Sequence, residues 1–164
     1  MDNVRGVIRI YSATAALCPH IEWALARLFG TRVQMKWTPQ NLQPGMQQAE
    51  YEWNGAAGLS ARLASALVRC KQIRFEVIEE APSGMGERYA FTPSLGIFHG
   101  VIDAAGQTLI GEDKLRAAMA GGHQTMQELH DALGALVGDP WDDELAPFRA
   151  GGDEESIRWP ERAV

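Results

Sequence analysis

The chain has 164 residues, 46% apolar and 22% charged, with a formal net charge of −6 and two cysteines. Such a length and balance fit one globular domain with a sizeable core, and two thiols exclude a disulfide-built scaffold. Residues 1–138 are nearly neutral, with 13 acidic and 12 basic side chains, whereas residues 139–164 carry 8 acidic against 3 basic. A neutral body lacks the basic excess of a general nucleic-acid binder.

The first residues, MDNVRGVIRIYS, lack a basic region followed by a long apolar run, so neither a secretory signal nor a membrane span is expected. With free thiols, this points to a cytoplasmic protein. Gly6 to Tyr11 is a β-branched run apolar on both faces, which predicts a central strand. Pro19 to Phe29 predicts a helix: Pro suits the first turn, Ile21, Ala24, Leu25 and Leu28 repeat at helical spacing, and Gly30 stops it. The alternative is a helix from near Ser12, kinked at Pro19. Val33, Met35 and Trp37 alternate with polar neighbours, as do Ala49, Tyr51 and Trp53, predicting two strands joined as a hairpin. Lys36 and Arg32 would then face Glu50 and Glu52 across the pair.

Leu59 to about Arg69 predicts a second helix with Leu59, Leu63, Ala66 and Leu67 on one face. Ile73, Phe75 and Val77 give a fourth strand. The resulting order is the split β-α-β pattern of ferredoxin-like folds. Further strands are predicted at Arg88–Thr92, Gly96–Asp103 and Thr108–Ile110, then a short helix from Glu112 to Ala120. Thr125 and Glu128 have capping-box spacing ahead of a helix striped by Met126, Leu129, Leu133 and Leu136. Trp141, Leu145 and Phe148 are spaced to dock one more turn. The expected fold is α+β: a ferredoxin-like β-α-β-β-α-β core with a mostly antiparallel sheet, extended by additional C-terminal strands and a helical pair. Residues 1–150 form a single domain in this reading, and the polar, acidic composition of 151–164 predicts a flexible tail.

Leu17-Cys18-Pro19-His20, Trp37-Thr38-Pro39-Gln40, Leu95-Gly96-Ile97-Phe98-His99 and the stretch from Trp141 to Arg149 (WDDELAPFR) resemble an actinobacterial family catalogued as a domain of unknown function, DUF3145. The similarity runs in order over about residues 4–150. It implies a bacterial cytosolic protein of this length, and it carries no activity, cofactor or catalytic residue onto these positions.

The ferredoxin-like order puts Cys18 and His20, at the start of the first helix, at the same end of the helical layer as Cys70, at the end of the second. A thiol at a helix N-terminus is biased toward thiolate, and a nearby imidazole could act as base or join both sulfurs around a metal. Against this, free cysteines are among the most buried residue types, and Cys-x-His is not a usual zinc pair. His99, inside a strand, is a candidate acid or base, with a wet sheet face as the plainer outcome. His123 and His130 read as solvated. Asp142, Asp143 and Glu144 could bind metal, but acidic residues in a helix's first turn offset its dipole. Neither the Pro44-Gly45 loop nor the segment around Gly84 and Gly86 has a phosphate-loop pattern.

Arg62, Arg69, Lys71 and Arg74 form a candidate partner-binding patch for an acidic protein, RNA phosphate or the acidic tail. Tyr51 and Trp53 could stack bases, but Glu50 and Glu52 stand where an RNA-binding sheet needs cations. No catalytic signature outweighs its structural alternative and no cofactor is implied. The expected function is therefore a non-catalytic interaction or regulatory module binding a protein partner or small ligand on a sheet face or edge, with homo-oligomerisation open. A thiol–His enzyme or metal/redox protein using Cys18, His20 and Cys70 is the alternative, and an RNA-binding accessory the third.

Overall fold

A computed structural model describes residues 3–80 and 84–150. The chain forms β1 (Asn3–Thr14), α1 (Cys18–Phe29), β2 (Thr38–Pro39), β3 (Met46–Ala56), α2 (Leu59–Val68), β4 (Arg74–Glu79), β5 (Gly86–Thr92), β6 (Gly96–Ile102), β7 (Thr108–Leu109), α3 (Glu112–Met119), α4 (Met126–Val137) and α5 (Asp139–Ala150). The fold is α+β. Among the described residues, seven strands lie in the order β2-β3-β1-β4-β5-β6-β7, each neighbouring pair antiparallel. The expected extension beyond the fourth strand is present as β5, β6 and β7. The tail expected over 151–164 lies outside the described residues.

Alternation along the strands divides the side chains between two layers. One side of the sheet carries Val4, Ile8 and Ile10 of β1, Phe75 and Val77 of β4 and Trp53 of β3, packed against Ile21 and Leu25 of α1 and Leu63 and Leu67 of α2. The other side carries Tyr11, Ala90 and Phe98, packed against Trp141, Leu145 and Phe148 of α5. Because both sides are covered there, Ile10 through Ala13 are buried without a break. The helix imagined from near Ser12 does not form: β1 continues through Thr14. Gly30 closes α1 in the left-handed conformation, φ 68°, its N–H bonding Ala26 O at 2.9 Å.

The strand expected over 33–37 shrinks to Thr38–Pro39, although Val33 and Met35 are buried in alternation as its pattern requires. The reason is local. Glu22 of α1 accepts the Met35 backbone N–H at 2.8 Å, a donor that a ladder would have used, and holds the Trp37 indole N–H at 3.0 Å. The predicted pairing of Arg32 and Lys36 with Glu50 and Glu52 is replaced accordingly: Glu50 pairs with Arg9 of β1 at 2.8 Å. The single turn expected around Trp141 to Phe148 is a twelve-residue helix crossing the sheet. Among the described residues, no helix is long and apolar enough to cross a membrane.

Candidate functional site

Cys18 is the first residue of α1 and is buried, its thiol donating to Thr14 O at 3.4 Å. Burial, and next the charge of Glu22, push that thiol up from its ordinary value; burial does the same to Cys70. The helix N-terminus is thus outweighed by desolvation. His20 is exposed and meets Trp23 edge-on, ring centroids 5.2 Å apart. Among the described residues, no three His, Cys, Asp or Glu side chains are grouped to hold a metal ion, so Cys18, His20 and Cys70 are not drawn into one ligand set.

Arg62, Arg69 and Lys71 are exposed along α2 and just beyond it. Arg74 does not join them. It neighbours Phe75, which faces the α1–α2 core, so its own side chain lies on the opposite side of the sheet. There its guanidinium sits over the Phe148 ring of α5 at 4.8 Å and reaches Ser12 Oγ and Gln43 Oε1. Tyr51 and Trp53 belong to the covered side, with Trp53 only 3% exposed beneath Phe29 of α1, so base stacking has no access to it.

The most concentrated polar chemistry is a cluster that the sequence reading missed. Beneath α5, Glu76 of β4 accepts from Tyr11 at 2.9 Å and from Arg88 at 3.1 Å, and pairs with Arg149. Arg88 also bonds Asp142 at 2.6 Å, and Arg149 reaches the same carboxylate at 3.2 Å. Burial alone would raise the Glu76 carboxyl; Arg88 and then Arg149, with hydrogen bonds from Arg149 and Tyr11, hold it below the usual carboxylate range. Burial and then the Glu76 charge push the Tyr11 phenol upward. Glu144 accepts from Thr92 at 3.0 Å and from Ser94 at 2.7 Å. The acidic run of α5 therefore grips the sheet as well as serving its own helix dipole. A charge between Phe75 and Val77 was the available signal for Glu76, since a strand buried on both faces tolerates a carboxylate only with partners. The cluster is internally satisfied, and its chemistry is that of a clasp.

The unsatisfied surface lies at the far end of the sheet. α2 packs over β4 and β5, and β6 extends beyond them. Ile97 and His99 pair with Phe91 and Tyr89 on the α2 side of the sheet, yet they are 45% and 41% exposed. His99 stacks on Tyr89 at 4.6 Å and lies 3.4 Å from Glu87, which leaves it in an open, solvated position. β7 covers the outer edge of β6 only at Val101 and Ile102, so among the described residues that edge has no strand beside it over Ile97–Gly100, while the Gly96 carbonyl accepts the Trp141 indole N–H at 3.0 Å. Leu95 and Leu109 are exposed nearby; Leu115 and Met119 of α3 and Met126 of α4 are exposed as well. Neither α3 nor α4 contains a buried residue.

No curated protein and no solved structure matches the chain. A family model described as "Protein of unknown function (DUF3145)" matches residues 7–162, nearly the whole length, and the chain belongs to that family.

Proposed function

We propose that the protein is a non-catalytic interaction module whose protein partner adds an extended apolar segment along the free edge of β6. The observation that carries this reading is the outer edge of β6 over Ile97–Gly100, an open ladder beside the half-exposed Ile97, His99 and Leu109 and bounded at Gly96, whose carbonyl accepts the Trp141 indole N–H at 3.0 Å. Unpaired strand edges accept partner strands: main-chain hydrogen bonds give affinity, and alternating side chains give selectivity. The β6 sequence Gly96-Ile97-Phe98-His99-Gly100-Val101-Ile102 has no acidic or Lys/Arg residue, so it lacks the charges that blunt other edges. Raised thiols at Cys18 and Cys70 weigh against the thiol–His enzyme reading.

The order β2-β3-β1-β4, with α1 and α2 packed on one face, supports a ferredoxin-like description of the N-terminal half. The resemblance of the chain's motifs to an actinobacterial family supports a bacterial source, and two free cysteines suit a cytoplasmic setting. The test uses the full chain as bait in the native host, compared with Ile97→Lys and Leu109→Lys variants. One stoichiometric partner is expected, lost in both variants, with slowed amide exchange at residues 97–100 when it is bound. Equal capture by the variants, or unchanged exchange along β6, would reject the edge as the site.

A further inference from the structure

We infer that the outward side of the α1–α2 layer is a second docking surface, built for an acidic protein segment carrying an apolar anchor residue, so that the module bridges two partners. The two helices run antiparallel. α1 begins just beyond the end of β1 where Ser12 pairs with Arg74, and α2 leads into β4 at that same end. Phe29, at the close of α1, lies against Trp53, and Leu59, at the opening of α2, lies beside Gly55, both at the other end. This arrangement sets His20 near the level of Arg69, Trp23 near the middle of α2, and Arg27 near the level of Arg62.

Arg27, Arg62, Arg69 and Lys71 are all exposed, and none takes part in an ion pair among the described residues. The layer's one carboxylate, Glu22, is turned inward onto Met35 and Trp37. A surface of uncompensated cations thus sits on a chain whose net charge is −6. Segregated charge of that kind steers an acidic partner to one face and repels it from the rest.

Trp23 supplies the apolar half of the site. It is 64% exposed, and its ring is braced edge-on by His20 one turn earlier. Exposed Trp flanked by Arg is the composition of interface hot spots, where an aromatic face receives an apolar side chain while cations meet carboxylates at the rim. Four cations beside an anchor fit a short acidic segment better than a nucleic acid, because the nearly neutral body offers no basic track beyond this face for a phosphate backbone to follow.

The test titrates the full chain into a fluorescent peptide of Asp and Glu residues surrounding one Phe, read by anisotropy at two salt concentrations. The combined variant Arg62→Glu, Arg69→Glu, Lys71→Glu is expected to weaken binding by at least about ten-fold. Trp23→Ala should weaken it while leaving the salt dependence intact. Ile97→Lys should bind as the parent does, so this surface and the β6 edge stand or fall separately. Unchanged affinity in the charge-reversed variant would overturn the inference. So would displacement of the peptide by a single-stranded RNA at a lower concentration than unlabelled peptide, which would assign the face to nucleic acid.

Discussion

Tyr11 donates its phenolic O–H to Glu76 across the sheet at 2.9 Å, and α5 seals both beneath Leu145 and Phe148. The bond ties β1 to β4 at the point where Arg149 arrives from the end of α5. Removing the carboxylate leaves Arg88, with a side chain 9% exposed, holding a charge matched only by Asp142. Breaking a buried pair from one side costs roughly 3–5 kcal/mol. Glu76→Ala should therefore lower unfolding free energy in urea by about that amount. A Glu76→Leu, Arg88→Met double variant should recover most of it, because a well-packed apolar pair avoids the desolvation cost.

The same carboxylate sets an acid limit on α5. Its pKa is lower in the folded chain than in the unfolded one, so the folded state binds the proton more weakly. The stability this contributes is complete above the unfolded value, about 4.3, and is gone once the pH has fallen through the lower folded value. Protection factors of the α5 amides should fall in that acid window before those of α1 and α2. In Glu76→Gln that fall should vanish, leaving α5 protection low and flat with pH.

Thiol chemistry gives a third check. Both sulfurs are pushed toward the protonated form by burial, and the thiolate is the reactive species. Near neutral pH each cysteine should react with an aromatic disulfide more slowly than free cysteine, and both should reach the free rate in denaturant. A fast thiol in the native chain would favour the enzyme alternative over the interaction module.

Gly6 illustrates a constraint visible only in three dimensions. A Cβ placed there would lie 2.3 Å from Ile78 O and 2.3 Å from the Trp53 ring. Gly6→Ala must displace both a strand backbone and a packed indole, and overpacking of this kind costs about 1–3 kcal/mol. Thermal unfolding should shift down accordingly, whereas Gly45→Ala, with open space around its Cβ position, should lose only the smaller cost of its positive φ.

Much of the architecture was legible because periodicity reports burial. The alternation at Val33 and Met35 located two buried side chains, yet it could not report pairing, which Glu22 decided from thirteen residues away. Trp141, Leu145 and Phe148 were recognisable as an anchor; Glu76, Arg88 and Arg149 were not recognisable as its counterpart, because a charge cluster spread over seventy-three residues has no local pattern. The rim shared by Cys18 and Cys70 follows from element order, whereas whether their side chains converge depends on rotamer and depth. The open edge of β6 depended on β7 stopping at two residues, and a short apolar run does not announce its own length of pairing.

Glu79 makes the last case, where a strand residue caps a helix. The N-cap of α2 is Gly58, which has φ 84°, offers no side chain, and is followed by no acidic residue in the first turn. The carboxylate arrives instead from the end of β4: Glu79 accepts the Gly58 N–H at 2.9 Å and the Ser60 N–H at 3.2 Å while only 5% exposed. It answers two of the helix's orphan donors and places a negative charge at the positive end of the dipole. Capping of this kind is worth about 0.5–2 kcal/mol, and burial places Glu79→Ala toward the upper part of that range. Glu79→Gln keeps an acceptor oxygen but loses the charge, so it should fall between the parent and Glu79→Ala. Amide exchange should identify the cause: residues 58–62 should exchange faster in both variants, with Glu79→Ala the faster, while residues 141–149 of α5 keep the parent rate. Equal acceleration in α5 would mean that Glu79 acts through the whole sheet and not as a cap.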